Sequence, residues 1–294
     1  MKTILTGILL FFITAAFAQE PLFWYLEGTQ AGFKNSKGDV VIKPQFVFAG
    51  NFAEGLSGAA KGENMFSALY GFIDTKGKWV IQPQFNAVDE FSEGLARVSV
   101  GGKWGYINKK GETVIAPSYQ LCYEFENGYA QAQKKNKWGI INKKGEWIIE
   151  PEYYDLTNVS KEGILSVRKD LYTTRWEIID LKGKKQSDST FDRVKNFNDG
   201  LAPARDKTDK YGFINKKGEW VIEPQFTNAE PFAEGLAAIE IGFADWGFID
   251  ASGKIIIEAA YDRSARFKNG YAFVEKAGKH MYINKKGEIV LALD

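Results

Sequence analysis

Few side chains in this sequence could form the pair of nucleophile and general base that covalent catalysis needs. His280 is the only histidine and Cys122 the only cysteine among the 294 residues. A serine or cysteine nucleophile needs a neighbouring base, and a zinc or calcium site needs several ligands at characteristic spacings. We therefore expect no metal site, no cofactor and no catalytic site of these kinds.

Paired carboxylates are the remaining route to catalysis, because glycoside hydrolysis needs only two of them. Four aspartates fall in the most irregular stretch of the sequence: Asp188, Asp192, Asp199 and Asp206. The more prominent glutamates recur at regular intervals, which indicates a structural or solvating role: Glu54, Glu93, Glu234, Glu112, Glu146, Glu219 and Glu288. A carbohydrate-active enzyme that uses two of the four aspartates is therefore one hypothesis.

Three tryptophans, Trp79, Trp147 and Trp220, are the candidate ligand-binding residues. Each lies two residues after a turn glycine, at a position that is Thr113 or Lys185 in other copies of the same pattern. A position that accepts Thr and Lys is not deeply buried, so these rings are candidates for partly exposed platforms that bind a sugar or a protein. The alternative is that all three pack against neighbouring units, as most large aromatic side chains do.

The candidate residues belong to a chain that repeats one pattern eight times. Each copy has an Asn or Asp three residues before a turn glycine, and successive turn glycines are 34 to 39 residues apart. The turn glycines are Gly38, Gly77, Gly111, Gly145, Gly183, Gly218, Gly253 and Gly287. Units of this length cannot bury their own apolar faces and must stack on their neighbours.

The unit at residues 95–128 illustrates the expected local structure. Apolar and polar residues alternate before Gly101-Gly102, which predicts a strand, a tight turn and a second strand from 103 to 108. After the turn at Gly111 we expect a third, short strand over 113–116 that ends at Pro117. An aromatic residue and a Phe-x-x-Gly sequence then lead to the next unit, and their rings are expected to fill the gap between units.

The second strand of the unit carries a family resemblance. Trp104-Gly105, Trp138-Gly139 and Trp246-Gly247, with the variants Tyr70-Gly71 and Tyr211-Gly212, resemble the WG (KWG) repeat of bacterial proteins. The match covers nearly the whole chain after its N-terminal segment, and it departs at 31–32, 176–177 and 280–281. The resemblance implies a repeat architecture and says little about a ligand. A glycine in mid-strand is expected where the strand bulges or where a ring packs on bare backbone.

We therefore expect an all-β fold of eight three-stranded antiparallel meander units. An open, curved β-superhelix is favoured over a propeller-like ring for two reasons. The first and last units each contain their own strands, whereas a propeller commonly closes by building one blade from both ends of the chain. The 34-residue period is also shorter than the roughly 40–45 residues of a four-stranded blade.

The N-terminus predicts export. Lys2, an apolar run to Phe17 and the sequence Ala16-Phe17-Ala18 predict a cleavable signal peptide at 1–18 and a single repeat domain at 19–294. No later stretch reaches the roughly 20 apolar residues that a membrane span needs. The 38 Lys and Arg residues balance 37 Asp and Glu residues, which argues against a nucleic-acid partner.

These features favour an exported, periplasmic, secreted or surface-associated protein that is not an enzyme and that binds a protein or glycan of the cell envelope. The alternative is the carbohydrate-active enzyme described above, with its site in the irregular fifth unit. A pure spacer or scaffold is the third hypothesis. The sequence specifies neither the ligand nor the oligomeric state.

Overall fold

The computed structural model describes residues 22–35, 37–62, 64, 67–173, 175–243, 245–268 and 270–292. The predicted signal peptide at 1–18 lies outside the described residues. Within them the chain forms strands in eight antiparallel sheets, which we call blades 1 to 8 in chain order.

The strands of the first four blades follow one another along the chain. They are, in blade 1, β1 (Phe23–Glu27), β2 (Gln30–Lys34) and β3 (Val40–Phe46); in blade 2, β4 (Phe48–Ala53), β5 (Leu56–Ala60), β6 (Tyr70–Asp74) and β7 (Trp79–Phe85); in blade 3, β8 (Ala87–Val88), β9 (Leu95–Val100), β10 (Lys103–Asn108) and β11 (Thr113–Tyr119); in blade 4, β12 (Leu121–Cys122), β13 (Tyr129–Lys134), β14 (Lys137–Asn142) and β15 (Trp147–Tyr153).

The second half of the chain continues the series. Its strands are, in blade 5, β16 (Asp155–Leu156), β17 (Ile164–Arg168) and β18 (Glu177–Asp180); in blade 6, β19 (Arg193–Val194), β20 (Leu201–Arg205), β21 (Tyr211–Asn215) and β22 (Trp220–Phe226); in blade 7, β23 (Asn228–Ala229), β24 (Ala237–Ile241), β25 (Asp245–Ile249) and β26 (Ile255–Tyr261); in blade 8, β27 (Arg263–Ser264), β28 (Tyr271–Lys276), β29 (Lys279–Asn284) and β30 (Ile289–Ala292).

The blades are arranged in a ring, as in a β-propeller, so the expected open superhelix of three-stranded units is wrong. Side chains from blades 5, 6, 7 and 8, including Asp155, Arg193, Glu230 and Arg266, line one cavity, which requires that the inner strands converge on a common centre. Six blades have four strands, because the linker adds a short inner strand that the sequence did not reveal. This strand is only two residues long in most blades, which is how four strands fit into 34 residues.

The hydrophobic core lies in the seams between blades. The Phe of each Phe-x-x-Gly linker packs on the third strand of the preceding blade, as Phe125 does on Tyr106 with ring centroids 4.8 Å apart. Phe91 on Phe72 and Phe232 on Phe213 repeat the contact at 4.8 and 5.0 Å. The expectation that these rings fill the gaps between units is confirmed.

The glycine of the WG pair faces a bulge in the neighbouring strand. Trp104 pairs with Tyr119 and Tyr106 with Ile115, so β11 places three residues opposite the single Gly105. A Cβ at Gly105 would lie 2.6 Å from the backbone nitrogen of Pro117, which leaves no room for a side chain. The expected end of the third strand at Pro117 is wrong, because the proline occupies the bulge, where its missing N–H is tolerated.

Glutamates in the turns at one end of the blades join neighbouring blades. The Glu54 carboxylate accepts a hydrogen bond from the Gly94 N–H of the next blade at 3.2 Å and pairs with Lys109 at 2.8 Å. Glu93 repeats the arrangement with Gly128 and Lys143. The recurring glutamates therefore have the structural role that the sequence predicts, and several turn lysines are engaged in the same contacts.

None of the described residues forms a helix long and apolar enough to cross a membrane.

Candidate binding site between blades 5 and 6

Blade 5 departs from the repeat at its outer edge. After β18 the chain makes only isolated bridges, between Ile179 and Lys185 and between Trp176 and Phe191, in place of a regular fourth strand. This unit has the irregular connections and lacks the proline found in most other units. The loss of the outer strand leaves an open space against blade 6.

That space is a cavity of about 570 Å³. Its wall is formed by the segment that replaces the missing strand, by the hairpin of blade 6 and by the start of β22. The lining residues are Arg175, Ser189, Thr190, Phe191, Asp192, Asp206, Lys207, Gly218, Glu219 and Trp220.

Trp220 is the one predicted ligand-binding residue that lines this cavity. Its ring is half-buried and meets Phe191 edge-on, with centroids 5.5 Å apart and planes at 88°. Trp79 and Trp147 make the same edge-on contact with the preceding blade, on Phe46 and Tyr119, at 5.7 Å each. The three tryptophans lie on blades 2, 4 and 6, so the structure does not bring them together in one surface.

Two of the four predicted aspartates, Asp192 and Asp206, line the cavity. Asp199 lies at the far end of β20, where its carboxylate accepts a hydrogen bond from Gly235 N–H at 3.2 Å. Asp188 is exposed on the segment that follows blade 5. The fifth-unit acids are therefore split into one pair and two separate residues.

Asp206 is held in the ionised form. Desolvation by partial burial raises its pKa, but hydrogen bonds from Thr208 Oγ1 and from the N–H groups of Thr208 and Lys210 outweigh that effect, and the net pKa lies below the ordinary 3.8. All of these hydrogen bonds go to Oδ1. The site thus places a fixed negative charge and hydroxyl groups, those of Ser189 and Thr190, beside an aromatic ring.

The comparisons with known proteins bear on the repeat itself. The model of the WG containing repeat matches residues 32–64, 70–104, 104–138, 138–170, 178–211, 211–242 and 246–279. The chain belongs to the WG-repeat family. No curated protein matches the sequence.

Solved structures resemble this WG-repeat protein in fold at low sequence identity. A computationally designed protein, Ika8, is 10% identical with a TM-score of 0.52, covering 92% of this chain and 95% of its own. A eukaryotic initiation factor is 13% identical with a TM-score of 0.63, covering 94% and 84%. BamB from Moraxella catarrhalis is 10% identical with a TM-score of 0.50, covering 88% and 95%. The solved structures found in this way are propeller proteins, which supports the ring over the superhelix.

Sequence reasoning missed the cavity and four of its polar residues: Arg175, Ser189, Thr190 and Lys207. The signal that could have found them is the loss of the proline and of regular alternation in the fifth unit of the WG-repeat chain. Where one blade of the ring lacks its outer strand, a space opens against the next blade, and the side chains that border this space become accessible.

The remaining predicted positions have local explanations. Cys122 is fully buried, and burial raises the pKa of its thiol to about 11. His280 stacks on Phe273 with ring centroids 5.6 Å apart. In the described part of the chain, no group of three His, Cys, Asp or Glu residues could hold a metal ion.

Proposed function

We propose that this WG-repeat protein is an exported, non-enzymatic binding module that recognises a glycan of the cell envelope in the cavity between blades 5 and 6. The observation that carries the proposal is the position of Trp220 beside Asp192 and Asp206 in a space of about 570 Å³. Trp79 and Trp147 are the matching residues of blades 2 and 4, where the neighbouring blade keeps its outer strand.

The composition of the cavity suits a sugar. The half-buried Trp220 ring offers an apolar face for the C–H side of a pyranose, while carboxylates and hydroxyls accept and donate hydrogen bonds to its hydroxyl groups. The lining carries three acidic residues and two basic ones, so neither sign dominates. A neutral or weakly charged glycan is the ligand class that fits.

The test compares three single substitutions at equivalent positions of three repeat units, each two residues after the turn glycine. Trp220→Ala is expected to weaken glycan binding at least tenfold, about 1.4 kcal/mol, because the ring is a central contact. Trp79→Ala and Trp147→Ala lose the same edge-on packing but adjoin blades that keep their outer strands, β3 and β11, so they should leave affinity unchanged.

Titration calorimetry against the best ligands from a glycan array provides the measurement, with circular dichroism to check folding. Equal affinity in all three variants would contradict the proposed site, and loss in Trp79→Ala or Trp147→Ala alone would move it to another blade. A chain that binds no glycan on the array would favour the spacer or scaffold alternative.

A carbohydrate-active enzyme remains the second candidate, because Asp192 and Asp206 both line the cavity. Glycosidases need one carboxyl group with a raised pKa to protonate the leaving group. The lowered pKa of Asp206 fits a nucleophile or a binding group and not that acid. Hydrolysis of a bound glycan by the unaltered chain, and its loss in the Asp192→Asn variant, would favour the enzyme. Stable binding of the glycan without hydrolysis would favour the binding module.

The N-terminal sequence supports the proposed location in the cell envelope. We expect cleavage after Ala18 on export, leaving Gln19 as the first residue. Cell fractionation and the intact mass of the recovered protein test this, and a full-length chain in the cytoplasmic fraction would contradict it.

A further inference from the structure

Blade 1 differs from the other blades at its inner edge. Blades 2 to 8 each begin with an inner strand, β4, β8, β12, β16, β19, β23 or β27, which pairs with the second strand of the same blade. Among the described residues blade 1 has no such strand, so β1 forms its inner edge. The side chains of this edge strand are unusually open for large apolar groups, with Phe23 56%, Trp24 49% and Leu26 60% exposed.

The same missing element explains an exposed ring on blade 8. In six of the other seven seams a linker Phe covers the strand of the preceding blade that is equivalent to β10, which is why Phe72, Phe213 and Phe248 are fully buried. Between blades 4 and 5 Val159 takes this place. The equivalent residue of blade 8 is Tyr282, and it is 39% exposed. A segment that paired with β1 would carry its aromatic residue directly over Tyr282.

The outer part of this seam is also unfilled. A Cβ at Gly287 would lie 3.2 Å from Ile257 of the preceding blade, as at the other turn glycines that pack on a neighbour. At Gly38 of blade 1 a Cβ would meet nothing within 4 Å, and Leu291 of blade 8, the counterpart of Ile257, is 53% exposed. At Gly183 of blade 5 a Cβ would also meet nothing, but Ile149, the counterpart residue of blade 4, is buried, so the exposed Leu291 is what distinguishes the seam between blades 8 and 1.

We propose that an extended segment of a partner protein occupies this seam as the missing inner strand of blade 1. Edge strands accept such segments through backbone hydrogen bonds, and pockets for alternate side chains give specificity. The segment needs a short strand followed by an aromatic residue, as in the chain's own linker, where Ala87-Val88 precedes Phe91 and Gly94. Its strand pairs with Tyr25 and Leu26, and its ring covers Tyr282.

The surroundings favour this occupant. Next to the inner edge of β1 lies a cavity of about 290 Å³ lined in part by Trp24, Phe48 and Val88, which suits an apolar side chain of the added strand. On the side of blade 1 that faces blade 8, Lys34 stands where other blades bury an Ile such as Ile73, and its Nζ lies 4.4 Å from the Tyr25 ring centroid. This lysine favours a segment with a carboxylate near its aromatic residue.

The probe is a labelled synthetic peptide that copies residues 86–95, titrated against the full chain by fluorescence anisotropy. We expect saturable binding, and at least tenfold weaker binding when the residue that corresponds to Phe91 is Ala. In the protein, Tyr282→Arg is expected to abolish binding. Tyr271→Arg is the matched control, because Tyr271 is also an exposed tyrosine of blade 8, and it should bind as the unaltered chain does.

The proposal would be overturned by the absence of saturable binding at millimolar peptide, by equal binding of the Ala peptide, or by equal binding to the Tyr282→Arg protein. A photo-crosslinker at the aromatic position of the peptide must label blade 8 near Tyr282, and labelling elsewhere would also overturn it. Sedimentation of the free chain as a dimer that dissociates in Tyr282→Arg would assign the seam to a second copy instead.

Discussion

At the scale of single residues, the WG pair has a steric cause. The outer strand of the blade, β11 in blade 3, bulges across the glycine, and the bulge holds the proline of the repeat. The glycine and the proline therefore act together. The glycine has no side chain, which leaves room for the bulge of the neighbouring strand, and the bulge accommodates a proline that has no backbone N–H to donate. The arrangement recurs at Gly32, Gly71 and Gly212, where an added Cβ would meet the equivalent backbone atoms, including the proline nitrogen.

Gly105→Ala is expected to destabilise the fold by about 1–3 kcal/mol, because the added methyl group overlaps the backbone at Pro117. Gly50→Ala is the matched control, since a Cβ there would make only ordinary contact at 3.7 Å. Urea unfolding measures both changes. A Gly105→Ala protein as stable as the control would show that the bulge can shift without cost.

Glu54 illustrates how one carboxylate joins two blades. Desolvation raises its pKa, but the hydrogen bonds from Lys109 and Gly94 and the charge of Lys109 outweigh that effect, so its pKa in the folded state lies below the ordinary 4.5. A lowered pKa in the folded state means that the ionised form stabilises the fold above the unfolded pKa. This contribution is lost as the pH falls through the folded-state pKa.

Glu54→Gln is accordingly expected to lower the melting temperature at neutral pH and to flatten its decline below pH 4.5. Lys109→Met should flatten the decline as well, because it removes the partner charge. Thermal melts across that pH range provide the measurement. Identical acid slopes in the variants and the unaltered chain would mean that the contact does not contribute to stability.

At the scale of elements, the blade is stable only with its neighbours. Phe125 is a linker ring of blade 4 and packs on blade 3, and it is 1% exposed. Phe125→Ala is expected to cost about 3–5 kcal/mol of folding free energy. Hydrogen exchange should then rise first in blades 3 and 4, and a uniform rise over all blades would contradict seam-by-seam stability.

Part of this architecture is legible in the sequence. The turn glycines, the second strands and the linker rings follow from residue types at fixed spacing, and Phe125 lies where the pattern places it. The short inner strands cannot be predicted in this way, because a strand of two residues such as Ala87-Val88 shows no periodicity of apolar and polar residues. Pro117 was misread for a physical reason: a proline ends a regular ladder but fits a bulge.

At the scale of the whole molecule, the ring determines what the tryptophans can do. They lie on alternate blades, and each packs against a different neighbour. Trp220 differs from the other two only through its neighbour, the incomplete blade 5. No periodicity in the sequence reports a strand that fails to form, so the irregularity of the fifth unit drew attention to this region without predicting a cavity beside Trp220.

The most direct test of the binding site is hydrogen–deuterium exchange of the full chain with and without its tightest-binding glycan. We expect protection confined to the segments that line the cavity, around Ser189 to Asp192, Asp206 and Trp220. Protection around Trp79 or Trp147, or at none of these segments, would contradict a glycan site between blades 5 and 6.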